Sequence, residues 1–154
     1  MNKKIKTASQ IQEILKSRKK KKIVFTNGCF DIIHYGHIQY LQKARAKGDI
    51  LIVGLNSDKS VKRLKGTKRP INCQKDRAEI LAEFISVNFI IIFNEDTPLD
   101  LIKTIKPDIL IKGADWSNKP IVGSDVVESY GGKTLTIPYI KNRSTSGIIK
   151  KIAS

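Results

Sequence analysis

Apolar residues in this chain fall into two patterns. Short unbroken runs alternate with longer stretches in which an apolar residue returns every three or four positions. The runs Lys22 to Thr26 (KIVFT), Ile50 to Leu55 (ILIVGL), Val87 to Phe93, Ile109 to Ile111 and Lys133 to Ile137 are too apolar for half-exposed strands. They predict strands buried on both faces. Between them the spacing predicts helices. Ser9 to Lys20 carries Ile11, Ile14 and Leu15 on one side, and Gly36 to Lys47 carries Ile38, Leu41 and either Ala44 or Arg45. Gln74 to Ser86 lines up Ala78, Leu81, Ala82 and Ile85. Thr97 reads as a cap, with Pro98 opening a helix to Lys106. Ser124 to Tyr130 is stopped by Gly131 and Gly132, and Ser144 to Ile152 closes the chain. The basic stretch Lys59 to Arg69, ended by Pro70, reads as a mobile loop.

Strict alternation of strand and helix specifies an α/β fold. The expectation is a Rossmann-like single domain: a five-stranded parallel sheet with helices on both faces. No composition break divides it. Residues 1–21, a helix and a basic segment, belong to the same domain as residues 22–154. In such sheets ligands bind beyond the carboxyl ends of the strands, where the strand order reverses. The first strand ends at Thr26, so the segment after it is where a site is expected.

Composition narrows the class. At 154 residues, 40% hydrophobic and 28% charged, the chain can bury a real core. Its longest apolar run, Phe84 to Phe93, is too short to span a bilayer. The N-terminal MNKKIKTASQ lacks the apolar segment of a secretory signal. Cys29 and Cys73 form neither a disulfide framework nor a metal-ligand spacing and read as packing residues. A cytoplasmic protein with no membrane partner is the expectation. The net charge of +15 draws polyanions, and on charge alone a basic nucleic-acid-binding domain is the alternative of another class. Aromatic residues make up only 6% of the chain, which leaves few stacking platforms. The densest run, Arg18 to Lys22, is equally a solvated face and helix end. No nucleic-acid partner is expected.

The two histidines change the picture. Both lie within Thr26 to His37, TNGCFDIIHYGH, three positions apart. Two histidines scattered at random would fall three apart roughly once in eighty cases. At a strand end and helix start, His34 and His37 project to one side, and Gly36 lets a ligand approach the backbone between them. The helix start favours phosphate, imidazole can donate to its oxygens, and Thr26 and Asn27 add a hydroxyl and an amide. No P-loop or G-x-G-x-x-G is present. Ser144, Thr145 and Ser146 make a second anion site at a helix start, with Arg143 able to clamp phosphate. In the basic stretch Lys62, Arg63, Lys65 and Arg69, Lys65 before Gly66 is the candidate for a pyrophosphate contact.

Together these residues resemble the nucleotidylyltransferase superfamily, cytidylyltransferase-like branch. TNGCFD followed by HYGH resembles its first signature, ARAKGDILIVGLNSD the helix–strand–loop that follows, KGADW the loop after the fourth strand, and RSTSGII the second signature. Through NSD, KRLKG, RP-x-N, KGADW and RSTSGIIKKI, the similarity is to the adenylyltransferase domains of ADP-heptose synthases. It implies transfer from ATP to D-glycero-D-manno-heptose 1-phosphate, giving ADP-heptose and pyrophosphate, with Mg2+ accompanying ATP and no dedicated protein cage for it. A homodimer is the implied assembly.

His34, His37 and Lys65 would then be catalytic. Thr26, Asn27, Gly28, Phe30, Gly36, Gly113, Asp115, Arg143, Ser144, Thr145 and Ser146 would bind nucleotide. Asp31, Asn56, Asp58, Arg77, Lys112 and Trp116 would serve the acceptor. Arg77 has a surface ion pair as its other reading, and Asp31 the orientation of a histidine or a turn. Two positions depart from the patterns: Asn142 replaces a frequent glycine, and Tyr139 stands where polyol-phosphate cytidylyltransferases generally carry arginine. A cytidylyltransferase of the glycerol 3-phosphate type is the alternative within the class.

Overall fold

The computed structural model describes residues 1–114 and 118–154. Five strands form one parallel sheet: β1 (Ile23–Gly28), β2 (Ile50–Asn56), β3 (Phe89–Phe93), β4 (Ile109–Gly113) and β5 (Lys133–Ile137), in the order β3-β2-β1-β4-β5. The chain winds outward from β1 to β3, then crosses back to place β4 on the other side of β1. The order therefore reverses between β1 and β4, where Val24 pairs with Ile109. At the β3 edge of the sheet, Ile5 bridges Ile90 in parallel, which covers part of the outer edge of that strand.

Every central strand feeds two cores, as period-two alternation requires. On one face Val24, Leu51, Val53, Leu55, Ile109 and Ile111 pack with Leu41 and Ala44 of α2 (Tyr35–Arg45) and with Ala78, Leu81 and Ala82 of α4 (Gln74–Ala82). On the other face Ile23, Phe25, Ile52, Ile91 and Leu110 pack with Ile11 of α1 (Ala8–Lys16), with Leu101, Ile102 and Ile105 of α5 (Leu99–Ile105), and with Val127 of α6 (Ser124–Ser129). The remaining helices are α3 (Asp58–Lys65) and α7 (Thr145–Ala153).

Several predicted boundaries move. α1 ends at Lys16, because Ser17 turns back on Ile14 and Lys19 takes a positive φ of 52°. α4 ends at Ala82, and Ile85, expected on its core face, is 97% exposed. Pro98 takes the cap position itself, without a side-chain cap, and α5 starts one residue later. The largest difference is α3, which folds where a loop was expected. Ser57 caps it by accepting from the Ser60 N–H, Asp58 sits in its first turn, and Lys62, Arg63 and Lys65 sit in its last. Both charge placements favour the helix dipole. Gly66, at φ 96°, ends it.

Candidate functional site

A cleft of about 630 Å³ opens at the carboxyl ends of β1 and β4, the position that the reversal of strand order dictates. β1 delivers Asn27 and Gly28, β4 delivers Lys112 and Gly113, α3 delivers Lys65, and the start of α7 delivers Arg143 to Ser146.

The histidine loop forms one wall. Phe30 adopts a left-handed φ of 45°, and its buried ring lies 5.3 Å from that of His37. His34 is the N-cap of α2, with its Nδ1 accepting from the Gly36 N–H at 3.1 Å. Nδ1 of His37 accepts from the His34 N–H at 3.3 Å. The two rings stack at 3.9 Å. Since each Nδ1 accepts, each neutral ring carries its proton on Nε2, the edge left for the cleft. Burial, then the Arg143 charge, holds His34 below the usual imidazole range. Burial and the neighbouring His34 push His37 down to about 4. Both are therefore neutral donors near pH 7. Gly36 has a tighter role than ligand approach: a Cβ there would meet the His34 ring at 2.9 Å and the Arg143 Cβ at 3.2 Å.

The α7 start faces the same cleft. Ser144 Oγ accepts from the Gly147 N–H and Thr145 Oγ1 donates to the Ile32 carbonyl. This second bond ties α7 to the histidine loop. The first-turn N–H groups of Thr145 and Ser146 have no intrahelical acceptor, and both residues line the cleft. Lys65 lines the cleft from the last turn of α3.

Several predicted residues stand elsewhere. Thr26 is fully buried and does not line the cleft, for its Oγ1 donates to the Ile111 carbonyl at 2.9 Å and meets the Tyr40 hydroxyl at 2.8 Å. Asp31 borders the cleft with its carboxylate already engaged: it accepts from Arg69 Nε at 2.6 Å and from the backbone N–H groups of Ile71 and Asn72. Burial raises its pKa, but these hydrogen bonds outweigh burial and hold it below the ordinary carboxylate range. Arg77 makes no surface ion pair. It is fully buried, donating to the carbonyls of Cys29, Asn56 and Asn72 and to the Asp58 carboxylate. Arg77 and Asp58 thus fasten β1, β2 and α4 together behind the cleft. Asn56 reaches the lining, with its amide on Ser60 Oγ. Lys112 donates to Asn27 Oδ1. Asp115 and Trp116 lie outside the described residues.

Sequence reasoning missed Tyr40, Thr97, Pro98 and Ile140, which also line the cleft. The only signal for them was their place after a strand or one turn into α2. Cys29 lines it too, but burial raises its thiol pKa, which disfavours a thiolate.

A family model described as cytidylyltransferase-like matches residues 25–151. The chain belongs to the cytidylyltransferase-like family. The matched residues include the histidine loop, the residues that line the cleft and most of α7. Among relatives, the bifunctional protein HldE of Campylobacter concisus is 55% identical over 149 residues, 97% of this chain and 31% of that protein. The bifunctional protein HldE of Geobacter metallireducens is 52% identical over 151 residues, with the same coverage of 97% and 31%. The chain thus spans about a third of the length of these relatives. Among solved structures, the lipopolysaccharide core biosynthesis protein of Thermoplasma volcanium GSS1 superposes with a TM-score of 0.63 at 27% identity, covering 80% of this chain and 99% of that one. A pantoate-beta-alanine ligase of Francisella tularensis shares the fold, with a TM-score of 0.64 at 19% identity over 92% of this chain and 68% of the other.

Proposed function

We propose that this chain is a nucleotidyltransferase that joins ATP to D-glycero-D-manno-heptose 1-phosphate, releasing pyrophosphate and giving ADP-heptose for lipopolysaccharide or a related glycan. The observation that carries it is the convergence of two Nε2–H imidazoles, Arg143, Lys65 and the α7 start on one cleft. Five sources of positive potential or N–H donation, with the lining carboxylates Asp31 and Asp96 already paired with Arg69 and Arg63, suit a triphosphate. Kinship with bifunctional HldE proteins and with a lipopolysaccharide core biosynthesis protein supports the acceptor.

In this reading an oxygen of the acceptor phosphate attacks the α-phosphorus of ATP in line. The bond from that phosphorus to the bridging oxygen breaks, and pyrophosphate leaves with the electron pair. The attacking oxygen is already anionic, so no strong base is required. Catalysis is positioning and stabilisation of charge on the phosphoryl oxygens. His34 and His37 donate to the α- and β-phosphates, while Lys65, Arg143 and the α7 start hold the β- and γ-phosphates.

Magnesium would arrive with the triphosphate as part of the substrate. Among the described residues no three His, Cys, Asp or Glu groups come together, and Asp31 is committed to Arg69, so in this reading the ion is carried in on the phosphates. The reading implies an ATP-supplied compartment, the cytoplasm, and among the described residues no helix is long and apolar enough to cross a membrane. A homodimer is part of the same proposal and is checked by sedimentation.

The direct test incubates the protein with each nucleoside triphosphate, magnesium and the heptose 1-phosphate, and weighs the product. ADP-heptose with stoichiometric pyrophosphate is expected. Turnover of CTP with glycerol 3-phosphate, and none of ATP with the heptose, would replace the reading.

A further inference from the structure

The cleft has two kinds of lining. Charged groups come from Lys65, Arg69, Lys112 and Arg143, with Asp31 and Asp96 beside them, while Tyr40, Val122, Tyr139 and Ile140 give an aromatic and aliphatic surface. Phosphate accounts for the first kind alone. Within the second, Tyr139 differs from the other aromatic rings: Phe30 is buried at 6% and Tyr40 is half-buried, but Tyr139 is 56% exposed. A tyrosine serving the core would bury its ring.

The Tyr139 ring is also held in place. Its hydroxyl oxygen lies against Gly113, where a Cβ would come within 2.1 Å of it. Only the absence of a side chain at the end of β4 makes that position available. Behind it stands Tyr40, with ring centroids 6.4 Å apart and planes inclined by 30°. Tyr40 is fixed in turn, its hydroxyl 2.8 Å from Thr26 Oγ1 and 3.4 Å from the Ile111 carbonyl. This gives the fully buried Thr26 a role at one remove: it holds the residue that backs the exposed ring.

We propose that Tyr139 is the nucleobase platform of this cleft, stacking on the base and favouring purine over pyrimidine nucleotides. The proposal rests on the nucleotidyl-transfer reading above and adds the residue that chooses the nucleotide. A nucleotide carries a flat π-surface tied to its phosphates, matching an exposed ring in a cleft lined with cations. Stacking is tolerant of base identity but grows with the overlapping face, so the two-ring purine gains more. Gly113, Tyr40 and Thr26 are positioning residues for the ring.

The test is isothermal titration of magnesium-ATP and magnesium-CTP into the wild type, Tyr139→Ala and Tyr139→Phe, with product formation followed on the same preparations. The wild type is expected to bind ATP more tightly than CTP. Tyr139→Ala should weaken ATP by about tenfold or more and bring the ATP-to-CTP ratio towards one. Tyr139→Phe, which keeps the ring, should preserve that ratio. The exposed position makes misfolding of either variant a minor concern. If the wild type makes ADP-heptose but Tyr139→Ala keeps the wild-type ratio, the platform is wrong and the function stands. A wild type preferring CTP overturns the purine preference, and one that binds neither nucleotide overturns both proposals.

Discussion

His34 and His37 each use one nitrogen for the fold and leave the other for chemistry. Nδ1 of each ring accepts a backbone N–H at the start of α2, so the cap fixes the tautomer and the tautomer puts a donor on Nε2. These two tasks separate experimentally. His34→Asn keeps a good N-cap residue and so should leave stability within about 0.5 kcal/mol of the wild type. The imidazole donor is lost, and pyrophosphate release should fall about a hundredfold. Urea melts and a coupled phosphate assay check the two halves, and an equal loss in both would sink the separation. The same burial sets a pH dependence. His37 has a pKa of about 4 in the folded chain, below the unfolded value of about 6.5. Between these values the unfolded chain binds more protons, so stability is full above pH 6.5 and declines as pH falls towards 4. The chain has two histidines, so imidazole NMR titration with His34→Asn as the assignment control reads His37 directly. Its midpoint is expected near 4 without ligand and higher with triphosphate bound, since a neighbouring anion favours the imidazolium. A midpoint near 6.5 in the free protein would contradict the buried geometry.

The elements around the cleft are linked by side chains whose roles sequence reading placed differently. α3 reads as a loop in the sequence because DKSVKRLK is strongly basic and carries only two large apolar residues, Val61 and Leu64, too few to stand out as a helical stripe. Only Ser60 and Val61 are buried in it, so caps and dipole placement of charge define the helix more than an apolar face. Asp31 reads in the sequence as an acceptor contact or as the orienter of a histidine or a turn; its carboxylate fastens the segment after α3 to the histidine loop through Arg69, Ile71 and Asn72. A sequence shows the residue types but not which partner thirty-eight positions away closes the pair. The pair is buried, with Asp31 at 1% and Arg69 at 14% side-chain exposure. Asp31→Asn removes the charge and one acceptor, and should cost about 2–3 kcal/mol of stability. It should also free the segment from Gly66 to Asn72, so that trypsin cuts after Lys65 or Lys68 well before global unfolding, Arg69 being protected by the following Pro70. Unchanged proteolysis there would mean that other contacts hold the segment.

At the scale of the whole molecule, the alternation of strands and helices was legible because both faces of the sheet are covered, which turns each strand into an unbroken apolar run. The site's position followed from the same topology. What was not legible was buried polarity. Arg77 looks like any surface arginine in α4, yet it is the largest of the fully buried side chains, because three carbonyls and a carboxylate converge where β1, β2 and α4 meet. The net charge of +15 raises a last question of scale: whether the global field or the local cleft governs substrate capture. Lys19 to Lys22 are exposed and precede β1, whereas the cleft lies beyond its other end. Six residues of strand separate them by roughly 20 Å, about twice the screening length at physiological salt. The lysine run should therefore act on the site only at low ionic strength. Replacing Lys19, Lys20, Lys21 and Lys22 with glutamine is expected to lower kcat/KM for ATP severalfold at about 10 mM salt, where the screening length is about 30 Å, and less than twofold at about 150 mM. Lys65→Gln, inside the cleft, should lower it by tenfold or more at both, because a contact with phosphate is little screened. Steady-state rates of both variants across a salt series decide this. If the glutamine variant loses as much as Lys65→Gln at 150 mM, the basic run reaches the site in a way that screened charge does not explain.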